Sequence, residues 1–96
     1  MHARVTRSRA PVEKVDEALE WFRETALPQA TSLPGFRGAL ELVDRESGVA
    51  LTVTLWESAD ARDASETAAA GMRSDAETSG SEVLGVERYE VAVSTL

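Results

Sequence analysis

The sequence predicts a single α+β domain, residues 1–96, with secondary-structure elements in the order βαββαβ. A chain of 96 residues is long enough for one two-layer core and too short for two. Short runs of alternating apolar and polar residues, typical of strands, flank two segments whose apolar residues recur every three or four positions, as in helices. The order βαββαβ is the ferredoxin-like arrangement, a four-stranded antiparallel sheet with two helices on one face.

The first strand and the first helix are predicted from the N-terminal quarter of the chain. HARVTRSR, residues 2–9, alternates as a strand, and Pro11 opens a helix because proline suits a first helical position. Pro28 is expected to kink or end that helix. Trp21 lies on nearly the opposite side from the apolar stripe and is expected to be exposed. The stripe that we expect to face the core comprises Val12, Val15, Leu19, Phe22 and Ala26.

Residues 36–44 and 49–57 are predicted to form a β-hairpin. FRGALELVD and VALTVTLWE both alternate, and the intervening RESG supplies a glycine that can adopt positive φ. One face of the second strand is aliphatic, and we expect this face to pack on the helices. The opposite face carries Thr52, Thr54 and Trp56.

The C-terminal half is predicted to contain a second helix, a linker and a final strand. Ser58 should cap the helix. SDAETSGS, residues 74–81, lacks periodicity and is expected to be a mobile polar linker. The final strand, from residue 82 to the end, changes its apolar phase near Gly85 to Arg88, which indicates a bulge. The helix is expected to bury Ala61, Ala64, Ala68 and Met72 and to expose Asp63, Glu66, Arg73 and Glu77.

Composition argues against several classes of function. The chain has no cysteine, and His2 is the only histidine, so neither a metal site nor nucleophilic catalysis is expected. The net charge of −7 disfavours nucleic acid and anionic lipid, and the arginines of the first strand divide between its two faces. The sequence contains no signal peptide and no transmembrane run, so we expect a cytoplasmic protein without membrane partners.

The face that carries Thr52, Thr54 and Trp56 is expected to form a homodimer. It has few charges and is too apolar to remain open across four strands. Two-fold pairing with a second copy would cover it and create a closed, barrel-like core. A solvated monomer is the alternative.

Several motifs resemble the antibiotic biosynthesis monooxygenase-like family of dimeric α+β barrels. LPGFRGALELVDRESGVALTVTLWESADA, followed later by VERYEV, is similar to that family, and the resemblance covers nearly the whole chain. It implies a homodimer and an activity such as cofactor-independent oxygenation of phenolic polyketides, or haem degradation. Many relatives carry histidine or tryptophan where this chain has Ser65. Haem degraders use an asparagine, which this chain lacks, so haem degradation is not expected.

The short apolar side chains of the second helix predict unfilled space between it and the sheet, near Ser65, into which relatives place a larger side chain. An oxygenase of this kind needs no cofactor, because a phenol that forms its own carbanion reacts with dioxygen once it is desolvated and oriented. Arg4, Arg37 or Arg88 would supply positive charge, and no general base is expected. For Trp56 and Tyr89, a place in the core or the dimer seam is the more common role, and the pocket wall is the alternative. The candidate ligand-binding residues are Trp56, Ser65, Met72, Phe22, Phe36 and Tyr89.

Two classes of function remain open at this point. The first is a cofactor-independent monooxygenase-like enzyme that acts on an aromatic, polyketide-type small molecule. The second is a non-catalytic dimeric module of the same fold that binds a small apolar ligand or has only a structural role. Oxygen uptake with a panel of anthrones and quinols would separate the two.

Overall fold

The computed structural model describes residues 1–96 and has the predicted βαββαβ order. The sheet order is β2-β3-β1-β4, and every pair of neighbouring strands is antiparallel. The helices lie on one face, so the predicted ferredoxin-like fold class is confirmed. The strands are β1 (His2–Arg9), β2 (Phe36–Asp44), β3 (Val49–Trp56) and β4 (Glu82–Glu90).

The first helical segment covers residues 12–31 and changes its hydrogen bonding along the way. Pro28 has no N–H, and in a regular α-helix it would clash with the carbonyl four residues earlier. A π-helical turn precedes it, in which the Leu27 N–H binds the Phe22 carbonyl five residues back. Pro28 then falls in the first turn of a new helix, where no N–H is needed. The parts are a 3₁₀ turn (Val12–Lys14), α1 (Val15–Trp21), the π-helical turn (Phe22–Ala26) and α2 (Leu27–Thr31).

These changes of pitch alter which side chains face the sheet. Val15 and Ala26 are buried as predicted, and Ala30 joins them. Val12 is 50% exposed because it lies in the 3₁₀ turn rather than on the stripe. Trp21, expected to be exposed, is half-buried and lines the space beneath the helix.

The second helical segment is divided at Ser65 into α3 (Ala59–Ala64) and α4 (Glu66–Thr78). The predicted cap is confirmed, since the Ser58 hydroxyl accepts a hydrogen bond from the Ala61 N–H at 3.0 Å. Most of the predicted linker is helical, because α4 continues to Thr78. None of the helices combines the length and the apolar character that crossing a bilayer requires.

The interruption at Ser65 makes the predicted buried face of this segment wrong in part. Ser65 itself is 4% exposed, whereas Ala64 is exposed. Glu66 and Arg73, both expected to be exposed, are half-buried and turn toward the sheet. A single α-helix drawn through Ser65 therefore misplaces Glu66 and Arg73, although Met72 keeps its predicted inward direction.

The predicted bulge in β4 is confirmed, one residue before the expected span. Arg7 pairs with Gly85 and Ser8 pairs with Val83, so Leu84 is the extra residue. The strand ends at Glu90 rather than continuing to residue 96.

The helices cover the face of β3 that carries Thr52, Thr54 and Trp56, which is the opposite of the prediction. Arg4, which pairs with Thr54, lies on this face and reaches the Arg62 carbonyl of α3 at 2.7 Å. Alternation shows which residues share a face of the sheet, but it does not show which face the helices cover. Helices can cover a face of small polar residues when a cavity separates the two layers. The face predicted for dimerisation is therefore already covered, and the open face is the aliphatic one.

Candidate functional site

A cavity of about 270 Å³ lies between the helices and the covered face of the sheet. Strands β1, β2 and β3 supply most of its floor, and α1, the π-helical turn and α4 supply its roof. This volume lies close to the lower end of the range for small-molecule sites, roughly 300 Å³. The lining is mostly apolar with a few polar groups, as such sites usually are. Its larger apolar residues include Val15, Leu19, Trp21, Phe22, Val43 and Met72.

Glu41 is an acidic group in the wall of this cavity. The Thr52 hydroxyl from β3 lies 2.9 Å and 3.1 Å from its two carboxylate oxygens. Burial raises the pKa of Glu41 from 4.5 to about 7, although the hydrogen bond from Thr52 acts in the opposite direction. A carboxyl group therefore lies in the wall of a cavity that was expected to hold no general base.

Arg4 is a buried cation beside the same cavity. Its Nη2 donates hydrogen bonds to the Arg62 carbonyl at 2.7 Å and to the Ser65 hydroxyl at 3.0 Å. The guanidinium lies 5.9 Å from the centre of the Trp56 ring. Burial lowers the pKa of Arg4 from its ordinary value, an effect that the charge of Glu66 opposes.

Glu66 joins three arginines at this end of the site. Its carboxylate lies 3.0 Å from Arg4 and 3.4 Å from Arg88, and Arg73 binds its other oxygen. Burial alone would raise the pKa of Glu66, but the hydrogen bond from Arg73 and the three positive charges together lower it. Because one carboxylate faces three guanidinium groups, the cluster carries excess positive charge.

Two donors of this arginine cluster have no acceptor. Arg4 Nε and Arg73 Nη1 are both buried without a hydrogen-bond partner, and both residues line the cavity. A buried donor left unpaired costs about 1–3 kcal/mol. A ligand with an oxygen at this position would therefore gain a hydrogen bond that the protein alone does not make.

The structure brings only part of the predicted site together. Phe22 and Met72 line the cavity, as expected. Trp56 and Phe36 do not: Trp56 is 1% exposed, its Nε1 donates to the Thr54 hydroxyl at 3.0 Å, and the Phe36 ring meets it edge to face at 5.6 Å. Trp56 therefore fits the core role that the sequence left open.

Ser65 and Tyr89 also lie away from the cavity. The Ser65 hydroxyl donates to the Arg62 carbonyl at 2.6 Å and accepts from Arg4, so the space expected there is filled. Tyr89 lies on the open face of the sheet beside Glu87, and their hydrogen bond raises the pKa of Tyr89.

Of the three arginines considered from the sequence, only Arg4 lines the cavity. Arg37 is exposed and pairs with Glu57 at 2.9 Å, and Arg88 contributes only through the cluster around Glu66. Sequence reasoning missed Arg73 and Glu41. Alternation along β2 sets Glu41 on the face opposite its two leucines, and this signal could have identified it.

No protein-family model matches the chain. An uncharacterised protein of Mycobacterium tuberculosis, recorded for two strains, is 31% identical over 94 residues. The matched stretch covers 97% of this chain and 42% of the relative. The chain therefore spans less than half the length of the curated relatives that it matches.

Solved structures with the same fold cover nearly all of the chain. The monooxygenase ActVA-Orf6 of Streptomyces coelicolor, in complex with nanaomycin D, has a TM-score of 0.76 and 14% identity over 99% of this chain and 90% of that one. The heme-degrader MhuD of Mycobacterium tuberculosis, with two hemes in its active site, has a TM-score of 0.73 and 20% identity over 100% of both chains. A proposed antibiotic biosynthesis monooxygenase of Deinococcus radiodurans has a TM-score of 0.72 and 18% identity over 100% of this chain and 97% of that one. The chain therefore has the ferredoxin-like α+β fold of antibiotic biosynthesis monooxygenase-like proteins, as the resemblance in its sequence indicated.

Proposed function

We propose that this chain is a cofactor-independent monooxygenase-like protein that takes a flat aromatic, polyketide-type molecule into the cavity between helices and sheet. The observation that carries the proposal is a mostly apolar cavity lined by the half-buried carboxyl group of Glu41 and by two arginines that each have an unpaired donor. A neighbour of the same fold that binds nanaomycin D supports the choice of ligand class.

The proposed reaction converts an activated CH₂ group of the substrate into a carbonyl group, with O₂ as the oxidant. The substrate carbanion supplies the electrons, so that one oxygen atom becomes the carbonyl oxygen and the other leaves as water. The carbon loses four electrons, which reduce both oxygen atoms. The apolar wall would exclude water, and Arg4 and Arg73 would stabilise the negative charge that develops on the substrate oxygen.

The residues around the cavity favour this chemistry over haem chemistry. No histidine, cysteine or tyrosine is among the lining residues, and these types supply most axial ligands to haem iron. His2 lies at the end of β1, where it pairs with Trp56 and Glu90. The likeness to the heme-degrader therefore supports the fold and not the use of heme by this chain.

Oxygen uptake with anthrones and quinols tests the proposal. The wild type should consume one O₂ per substrate molecule. Ala69→Phe, on a cavity-lining residue of α4, should abolish uptake because the ring fills the cavity. Ala70→Phe is the matched control, since Ala70 is the exposed neighbour and should leave uptake unchanged.

A second candidate, a non-catalytic binding module, is favoured if ligand binds without turnover. Saturable quenching of Trp21 fluorescence that is lost in Ala69→Phe but retained in Ala70→Phe, with no oxygen uptake, would select this candidate. The absence of both binding and uptake would contradict both functions.

We also propose a homodimer, formed by the open aliphatic face rather than by the face originally expected. Leu40 and Leu42 on β2 are 45% and 50% exposed, and Leu84 and Tyr89 on β4 are exposed as well. Large apolar side chains exposed on one sheet face are typical of an interface. A second copy related by a two-fold axis would cover this face, because such an axis brings the same patch of both copies together.

Sedimentation tests the dimer. The wild type should sediment as two copies of the 10.3 kDa chain, and Leu42→Glu should yield a folded monomer because it introduces charge into the interface. Thr67→Glu, on the exposed side of α4, is the control and should remain dimeric. A wild type that is monomeric at micromolar concentration would overturn the proposal.

A further inference from the structure

The geometry points to Glu41 as the group that accepts a proton from a ligand in the cavity, with Arg73 as the partner of the ligand's negative charge. This inference rests on the proposed function, because it requires a ligand in that cavity. It narrows the ligands to flat aromatic molecules with a weakly acidic O–H or an activated C–H. The proton moves from the ligand to a carboxylate oxygen of Glu41, the electron pair stays on the ligand, and no other reactant is needed.

Glu41 is suited to this role because it is a half-buried carboxyl in the cavity wall without a counter-ion. It forms no ion pair, and its hydrogen-bond partner is the Thr52 hydroxyl. The register Glu41–Thr52–Thr6 places it near the middle of β2 along the strand, and β2 is an edge strand of the sheet. A carboxylate in such surroundings gains stability when it takes up a proton.

The proton affinity of Glu41 matches a weakly acidic ligand. Burial raises its pKa to about 7, so the carboxylate form exists at neutral pH and still binds a proton well. Lys14 and Glu17 from the first helical segment also face the cavity, as do Arg73 from α4 and Arg4 from β1. None of these four residues pairs with Glu41, so its carboxylate remains available to accept a proton from a ligand.

The positive groups lie on the other side of the cavity from Glu41. Strands β2 and β1 are separated by β3, so Glu41 and Arg4 start from backbones about 10 Å apart across the sheet. Arg73 lies on α4, which packs over β4 next to β1. A fused-ring molecule can span this distance with its acidic hydrogen at Glu41 and an oxygen toward the positive charge of Arg73, which lines the cavity.

The emission of bound 2-naphthol tests the inference. This phenol becomes a strong acid on excitation, so its emission shows whether a proton acceptor lies beside its hydroxyl group. Bound to the wild type at pH 8 it should emit as naphtholate, and at pH 5.5, where Glu41 is protonated, as neutral naphthol. Glu41→Gln should give neutral emission at both pH values. Glu46→Gln, which changes an exposed carboxyl in the hairpin turn, should behave as the wild type.

A second variant separates proton acceptance from a structural role of Glu41. Thr52→Val removes the hydrogen bond that lowers the pKa of Glu41, so naphtholate emission should persist but appear only at higher pH. Bound 2-naphthol whose emission is the same in Glu41→Gln and in the wild type would overturn the inference and leave the binding function intact. Calorimetry that detects no binding to the wild type, or equal binding to Ala69→Phe, would overturn both.

Discussion

Glu41→Gln should stabilise the protein at alkaline pH, because the cavity wall disfavours a charge at this position. The pKa of Glu41 is raised from 4.5 to about 7, so the folded state binds this proton more tightly than the unfolded state does. The stability that protonation provides is complete below about pH 4.5 and is lost as the pH rises through about 7. One pKa unit corresponds to about 1.4 kcal/mol, so ionisation of Glu41 costs up to about 3 kcal/mol at pH 8.

Urea unfolding from pH 4 to pH 8.5, at one protein concentration, measures this cost. The free energy of unfolding of Glu41→Gln minus that of the wild type should rise by up to about 3 kcal/mol between pH 4.5 and pH 8. Glu66 has a lowered pKa and affects stability in the opposite sense at low pH, but it is present in both proteins and cancels in the difference. Glu46→Gln is the control and should show a constant difference. A constant difference for Glu41→Gln would mean that its carboxyl group has an ordinary pKa.

Three further perturbations test the packing around the site. Ser65→Trp should lower the free energy of unfolding in urea by about 1–3 kcal/mol or more, because Ser65 is enclosed by Arg4; unchanged stability would reveal unfilled space there. Trp56→Phe leaves Trp21 as the only tryptophan, and Trp21→Phe leaves Trp56. Acrylamide should quench the fluorescence of the first variant more strongly, because Trp21 is half-buried and Trp56 is 1% exposed, and the reverse order would contradict their burial. Gly48→Ala should lower the melting temperature measured by circular dichroism, because Gly48 has φ +78° and a Cβ would collide with the Ala10 carbonyl; an unchanged temperature would contradict that close approach.

The features of the fold that depend on residues close together in the sequence could be predicted from it. The element order, the hairpin, the Ser58 cap and the bulge in β4 all follow from local periodicity or capping chemistry, and each is present. The covered face of the sheet could not be predicted in this way. Alternation assigns Leu51 and Thr52 to opposite faces, but only the packing of complete helices decides which face is covered.

Residues of the candidate site were predicted correctly only where the structure keeps the helical phase expected from the sequence. Phe22 and Met72 keep their inward direction, whereas the interruption at Ser65 turns Arg73 toward the cavity. Trp21 also lines the cavity, although it lies in α1, before the π-helical turn. Alternation along β2 could have identified Glu41 from the sequence. A charged residue on a covered face, however, conflicts with the usual rule that charged side chains are exposed.

The π-helical turn at Phe22–Ala26 imposes a constraint on chain length rather than on side-chain chemistry. A π turn amounts to one residue inserted into an α-helix. Deleting a single residue there would restore regular α-helical hydrogen bonding and leave the residues beyond it facing the sheet much as before, because the wider π turn takes up the extra residue. Pro28 would then meet the carbonyl that it now avoids. In homologous chains that keep this cavity, the spacing from Trp21 to Ala30 should tolerate substitution far better than it tolerates a gap.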